Sequence, residues 1–310
     1  MLALLCPGQG AQTPGMLGPW LEVPDLADRL DRYADVTELD LRTLGTTADA
    51  DAIRDTSVAQ PLLVAASLLS LHALLGDAGP DVRPDVTAGH SVGELAAVAV
   101  AGVLSDEEAL VLVRERGRAM ADAAAVRPTG MTAVVGGRPE EVAEALARQG
   151  LTAANVNGGG QVVAAGTAEQ LQALADDPPA RARVIPLQVA GAFHTEHMAP
   201  AVEHVRVTAD GLAPADPAVT LLSNADGAVV TSGAEAVDRL VKQVATPVRW
   251  DRCCERLVEL GVTGAVELCP GGVLTGLARR TLPGVETVAI KSPDDLPAAR
   301  DLVSRHGGTR

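Results

Sequence analysis

Aromatic side chains are nearly missing from this chain of 310 residues, which has one Phe, one Tyr and two Trp. Flat surfaces on which nucleic-acid bases could stack are therefore scarce. With 25 Lys and Arg against 40 Asp and Glu, a formal charge of −15, there is also no basic excess to neutralise a phosphate backbone. Nucleic acid is excluded as a partner. Cysteine is sparse too. The four thiols (Cys6, Cys253, Cys254, Cys269) include an adjacent pair, which neither disulfide frameworks nor zinc spacings normally use, so reduced core thiols in a cytoplasm are expected. Long apolar runs are lacking as well. The run Leu62 to Leu75 is shorter than the ~18 residues of a membrane span and is interrupted by Ser67, Ser70 and His72, so it reads as a buried helix. The N-terminal run has no basic start and ends at Pro7 and Gly8, too short for a signal peptide. No membrane partner is expected.

What is present suits a large core. With 47% hydrophobic and 21% charged residues, the chain is expected to fold as one large α/β domain, or as a large domain with a smaller companion, around Ala, Val and Leu. Leu2 to Cys6 reads as a strand, helices follow around 23–34 and 58–75, and a strand at 85–88 precedes a helix over 94–101. That alternation is the rhythm of a parallel sheet covered by helices. Ser105 with Glu108 forms a capping box, Asp106 and Glu107 add negative charge to the first turn, and a helix should run to about Ala125.

Between Thr129 and Gln188 the pattern becomes strand, helix, strand, strand, helix, strand: 131–135, 139–148, 151–156, 161–166, 168–175 and 183–187. This is the ferredoxin-like order and predicts a small α+β subdomain, 129–188, inserted into a large domain made of 1–128 and 189–310. Strands at 219–222 and 265–268, with helices at 237–244 and 251–260, return the chain to the main sheet. From Ser292 to Arg310 a short helix and a loose tail are expected.

The chemistry centres on Gly89-His90-Ser91-Val92-Gly93. A serine on so tight a strand-to-helix turn has its hydroxyl pushed out of the backbone, and small flanking residues are needed to relieve the crowding. Ser91 is the candidate nucleophile, and the first free N–H groups of the following helix, beginning with Val92, are aimed at an oxyanion forming beside it. A serine hydroxyl needs a base, and histidine is the usual one. His72 lies among leucines, His90 should point to the opposite side of the elbow, and His306 is near the end. The cluster in Gly191-Ala192-Phe193-His194-Thr195-Glu196-His197 offers His194 or His197, with His204 behind them. A zinc site of His194, His197 and Glu203 or His204 is the weaker reading, since no strong third-ligand spacing accompanies the H-x-x-H pair.

Arg116 is the second unusual residue. On the helix 105–125 it falls in the middle of the face made by Ala109, Leu112, Val113, Met120 and Ala123. A guanidinium in an apolar stripe requires a negative partner or an escape of its long stem to solvent. The partner is either a protein acid or the carboxylate of a substrate, which the two-pronged donor geometry fits.

Pro7-Gly8-Gln9-Gly10-Ala11-Gln12, Gly89-His90-Ser91-Val92-Gly93-Glu94, Arg116-Gly117, Gly191-Ala192-Phe193-His194 and Pro247-Val248-Arg249-Trp250 stand in the order and spacing of one family. From about Leu2 to about Lys291 the chain resembles the malonyl-CoA:acyl carrier protein transacylases of fatty-acid synthesis and the acyltransferase domains of polyketide synthases. The resemblance implies a hydrolase-like α/β core with an inserted ferredoxin-like subdomain. It implies that Ser91 is acylated, that His194 is its base, and that Arg116 holds the free carboxylate of a malonyl group. It further implies an oxyanion hole from the N–H groups of Gln9 and Val92, and a histidine oriented by the main-chain carbonyl of Gln243 instead of an acid. Phe193 resembles the malonyl-selecting form of its motif, where methylmalonyl-selecting members carry serine. Arg279 and Arg280, with Lys291 nearby, are the expected carrier-protein docking residues.

The activity so implied is transfer of malonyl from malonyl-CoA to the phosphopantetheine thiol of acyl carrier protein, by a cytoplasmic monomer with no permanent cofactor and the CoA thioester as substrate. The alternatives are a free-standing acyltransferase loading a polyketide carrier protein, a serine hydrolase, and an inactive carrier-binding scaffold. The last is disfavoured by the presence of Ser91, His194 and Arg116 together.

Overall fold

The computed structural model describes residues 1–76 and 82–309. In chain order the first part comprises β1 (Leu2–Cys6), α1 (Leu26–Thr37), α2 (Leu41–Thr46), α3 (Thr56–Leu75), β2 (Val82–Arg83), β3 (Val86–Gly89), α4 (Gly93–Val100) and α5 (Asp106–Ala125). The middle part is β4 (Thr129–Gly136), α6 (Pro139–Arg148), β5 (Thr152–Gly158), β6 (Gln161–Thr167), α7 (Ala168–Asp176) and β7 (Ala182–Pro186). The last part is α8 (Ala199–Ala209), β8 (Thr220–Leu222), β9 (Val229–Val230), α9 (Gly233–Gln243), α10 (Trp250–Glu259), β10 (Gly264–Glu267), α11 (Val273–Thr281), β11 (Glu286–Ala289), α12 (Leu296–His306) and β12 (Gly308–Thr309).

Six strands form the main sheet in the order β11-β10-β1-β3-β8-β9. All its neighbours are parallel except β9, which pairs antiparallel with β8. The all-apolar β1 is buried along its whole length, as a central parallel strand covered on both faces must be. Helix α3 is buried nearly all round. By length and composition it could cross a bilayer, but 83% of its most apolar window lies inside the fold. The few aromatics are spent in the interior: Trp20, Tyr33, Trp250 and Phe193 are all buried.

A second sheet of four antiparallel strands runs β5-β6-β4-β7. Its order, with the second and third strands of the segment adjacent and the first between the third and the fourth, brings α6 and α7 together over a small core that includes Val134, Val142, Leu146, Ala164 and Leu174. Its edge does not stand free. Val156 N–H donates to the Val248 carbonyl and Val248 N–H to the Ala154 carbonyl, each over 2.8 Å, so the segment before α10 covers β5.

Three expectations are corrected. The helix placed at 23–34 starts at Leu26, because Pro24 disfavours a helical conformation at the residue before it and Asp25 is left-handed, with φ 65°. The helix placed at 237–244 starts four residues earlier, at Gly233, where the Ser232 side chain accepts from the Glu235 N–H. The terminal stretch is not loose. Leu296, Ala299, Leu302 and Val303 of α12 are buried, His306 Nδ1 meets Thr263 Oγ1 at 2.9 Å, and β12 pairs with β2. Arg310 lies outside the described residues.

Candidate active site

The elbow forms where β3 ends. Gly89 is level with Cys6 of β1, so the turn sits at the carboxyl ends of the two central strands. The turn is so close that a Cβ on Gly89 would meet the Gly93 backbone at 2.1 Å, and one on Gly93 would meet the Cys6 carbonyl oxygen at 2.2 Å. Ser91 itself is left-handed, with φ 53°, a conformation costly for a residue with a side chain. Asn224, after β8, braces it: Oδ1 accepts from the Ser91 N–H at 2.7 Å while Nδ2 donates to the Gly89 carbonyl at 2.6 Å.

His194 arrives from the loop before α8, also left-handed at φ 61°. Its Nε2 lies 2.6 Å from Ser91 Oγ and its Nδ1 lies 2.7 Å from the Gln243 carbonyl oxygen. A carbonyl only accepts, so Nδ1 carries the proton, Nε2 is the acceptor, and the serine hydroxyl donates to it. The ring stays neutral. Burial pushes its pKa down to about 3, the nearby Arg116 cation adds to this, and the Gln243 carbonyl works in the opposite direction. The other histidines are engaged elsewhere. His90 turns away to Asn157 Oδ1 at 2.8 Å and packs edge-on against Trp250, His72 meets Asp106, and His204 meets Glu115, both at 2.7 Å. With both ring nitrogens of His194 engaged and His204 on Glu115, the cluster does not converge on a cation. His197 sits in the short turn Glu196–Met198, where its N–H donates to Thr195 Oγ1.

Arg116 is 1% exposed on the buried face of α5. Two of the alternatives open from sequence do not hold it: its stem does not reach solvent, and among the described residues no protein carboxylate touches it. Nη1 donates to Gln60 Oε1 of α3 at 2.5 Å and Nη2 to Gln243 Oε1 of α9 at 2.8 Å. Nε is buried without an acceptor. A guanidinium has five N–H donors, so donors remain for an incoming carboxylate. Burial lowers its pKa to about 10, which leaves it charged at neutral pH.

Glu94, one turn beyond Ser91, is a buried acid whose charge, when ionised, acts on Arg116. Burial pushes its carboxyl up to about 7, against hydrogen bonds and the attraction of Arg116. Oε1 accepts from the Asn224 N–H at 3.1 Å, and Oε2 makes a short hydrogen bond with Gln243 Nε2. Both carboxyl oxygens face N–H donors, so the ionised form is the one this surrounding accommodates.

Val92 caps α4, so its N–H has no intrahelical acceptor, and Gln9 follows β1 in the loop beside the elbow. Among the described residues neither N–H is engaged in a hydrogen bond. A cavity of about 300 Å³ lies beside Gln9, lined also by Gln12, Ile53, Arg54 and Gln188. Phe193 is 5% exposed in the core cluster next to His194. Arg279 and Arg280 are exposed in the last turn of α11, and Lys291 is exposed beyond β11.

Sequence reasoning missed Gln60, Glu94, Asn224 and the side chain of Gln243. The signal that singled out Arg116, a polar residue within an apolar stripe, also marks Gln60, which is 1% exposed between Ala59 and Pro61.

Residues 3–293 match the family model of the acyl transferase domain. The chain is 52% identical to a malonyl CoA-acyl carrier protein transacylase of Mycobacterium tuberculosis over 305 residues, 97% of this chain and all of the relative. A crystal structure of MCAT from Mycobacterium tuberculosis, 52% identical, superposes with a TM-score of 0.92, covering 96% of this chain and 99% of the other. A malonyl-transacylase solved in complex with a type II polyketide acyl-carrier protein is 31% identical, with a TM-score of 0.91 over 97% of this chain and 99% of that one.

Proposed function

The chain belongs to the acyl transferase family, and we propose that it moves a malonyl group from malonyl-CoA to the phosphopantetheine thiol of an acyl carrier protein. The observation that carries this reading is the convergence of Ser91, His194 and Arg116 on the one residue Gln243, directly or through His194. In the first half-reaction Ser91 Oγ attacks the thioester carbonyl and its proton passes to His194 Nε2. The tetrahedral intermediate collapses with loss of CoA thiolate, which takes that proton, leaving a malonyl oxoester on Ser91. In the second, the carrier thiol gives its proton to His194 and attacks the oxoester, and Ser91 Oγ leaves and is reprotonated.

The N–H groups of Gln9 and Val92 serve the oxyanion, and Arg116 binds the malonyl carboxylate. That carboxylate also strengthens the base. The guanidinium helps to depress His194, so neutralising it raises the proton affinity of the imidazole when it is needed. Among the described residues no acid touches the His194 ring, which places more of the burden on the oxyanion donors.

Phe193 disfavours an α-methyl group on the acyl chain. Arg279 and Arg280 receive the acidic carrier, with long-range repulsion from a net-acidic enzyme screened beyond ~8 Å at physiological salt. We also read 129–188 as a subdomain set into a domain of 1–128 and 189–310, the whole acting in the cytoplasm. Loading of a polyketide carrier is the second reading, favoured by the likeness to the transacylase solved with such a carrier.

The test is the mass of the protein after incubation with malonyl-CoA. One malonyl adduct is expected, and none for Ser91→Ala; an adduct that persists in the variant removes Ser91 from its role. Transfer to fatty-acid and polyketide carrier proteins side by side decides between the two pathways.

A further inference from the structure

Gln243 carries a primary amide whose two ends cannot be exchanged. Its Oε1 accepts from Arg116 Nη2 at 2.8 Å, and its Nε2 faces the Glu94 carboxylate, the Ser91 carbonyl at 3.2 Å and Asn224 Oδ1 at 3.3 Å. Turned over, the NH₂ would point at a guanidinium that only donates, and the carbonyl at three oxygens. The group that enforces this direction most strongly is the buried carboxylate, because it accepts only and carries a charge. Glu94 is 3% exposed and touches neither Ser91 Oγ nor His194, so no step in the transfer uses it directly.

We infer that Glu94 is a positioning residue for acyl selectivity: its carboxylate fixes the Gln243 amide with the carbonyl toward Arg116, and so aims the guanidinium at the substrate carboxylate. The inference rests on the reading of Arg116 as the carboxylate clamp. Gln60 alone would leave the guanidinium tethered at Nη1 and free to swing about that bond. The second tether, to an amide that is itself held by Glu94, fixes its plane. Replacing Glu94 by Gln keeps the shape but removes the charge and sets an NH₂ against one of two donors, Gln243 Nε2 or the Asn224 N–H. The Gln243 amide then loses the charged acceptor that most firmly fixes its direction, and the second tether of Arg116 loosens.

The experiment is kcat/KM for acylation of the full-length protein by malonyl-CoA and by acetyl-CoA, with thermal melting as the check on folding. In Glu94→Gln, malonyl-CoA should lose roughly tenfold more than acetyl-CoA, the weight of one charge-assisted hydrogen bond. Equal losses on both donors, or no loss, overturn the inference. Should Glu94→Gln not fold, Gln243→Leu is read in its place, since it keeps the main-chain carbonyl to His194 and removes only the amide. A malonyl-selective loss there supports the inference, and an unchanged ratio of the two donors overturns it. Arg116→Ala separates the two levels. If it loses both donors alike, the clamp reading itself fails; if it is malonyl-selective while the Glu94 variant is not, only the role of Glu94 falls.

Discussion

The serine half of the site, where Ser91 is half-buried, and the fully buried guanidinium half meet at Gln243, yet they are built from different materials. The serine half is a backbone construction: two left-handed residues, Ser91 and His194, two glycines whose Cβ atoms would collide with main chain, and a carbonyl that fixes the imidazole. The guanidinium half is made of side chains from α3, α4, α5 and α9, with neutral amides from Gln60 and Gln243 holding the cation and Glu94 behind them. Strain fixed by a rigid turn suits a nucleophile whose position must not change. Amides that accept without neutralising leave a cation whose charge is still available to a ligand. Damage to the serine half should therefore fall on every acyl donor, and damage to the guanidinium half on carboxylated donors alone.

The sharpest way to break that division is His194→Ala. General-base assistance is worth about 10²–10⁴-fold, and acylation by malonyl-CoA and by acetyl-CoA should fall together by that order; a loss confined to malonyl-CoA erases the distinction. Arg116→Ala comes next. Charge-assisted hydrogen bonds of roughly 1.5–3 kcal/mol correspond to about ten- to a hundredfold in kcat/KM for malonyl-CoA, with acetyl-CoA little changed in the same stopped-flow assay. Phe193→Ser tests acyl selectivity beside His194. The preference for malonyl- over methylmalonyl-CoA should shrink between about fivefold and a hundredfold, read as a ratio so that any loss of stability from the buried ring cancels. Arg279→Glu with Arg280→Glu lies outside both halves and should raise KM for carrier protein by only a few-fold, sparing malonyl-CoA; no change moves the docking surface elsewhere.

The smallest effect is one of pH. His194, held down to about 3, keeps its base form above that value, so acylation by acetyl-CoA should vary less than about twofold between pH 8 and 5.5 and show no step at the usual histidine value near 6.5. Glu94 is raised to about 7, so it gains its proton and ceases to be a pure acceptor as the pH falls through that value. The advantage of malonyl-CoA should therefore decline toward acid while the acetyl rate stays level. A parallel decline of both rates would merge the two halves.

Much of the serine half was legible along the chain, because its features are local. Gly89-His90-Ser91-Val92-Gly93 specifies a turn that only small residues can make, and Ser105 with Glu108 marked the start of α5 with its full reciprocal capping box. Arg116 stood out by the period of α5 alone. Its partners did not. Gln60, Gln243 and Glu94 lie 56, 127 and 22 positions from it, and the pattern of an apolar stripe says that something polar must be satisfied without saying by what. Glu94 was in view as the end of a motif, but at that level a glutamate in the first turn of a helix reads only as complementing the helix dipole.

Much of the local order was thus written in the sequence: which residues turn, which runs extend as the main strands, which helix faces are apolar, and that a serine is thrust forward at the end of β3. Those follow from steric limits on φ and ψ and from the spacing of apolar side chains, which act over a few residues. Only the tertiary structure decided that a cation would be met by two amides instead of an acid, that Asn224 would hold the strained serine, and that one glutamine would serve imidazole and guanidinium at once. Hydrogen-bond partnership in a buried site is fixed by which donors and acceptors are left facing each other after packing, and no stretch of chain carries that information alone.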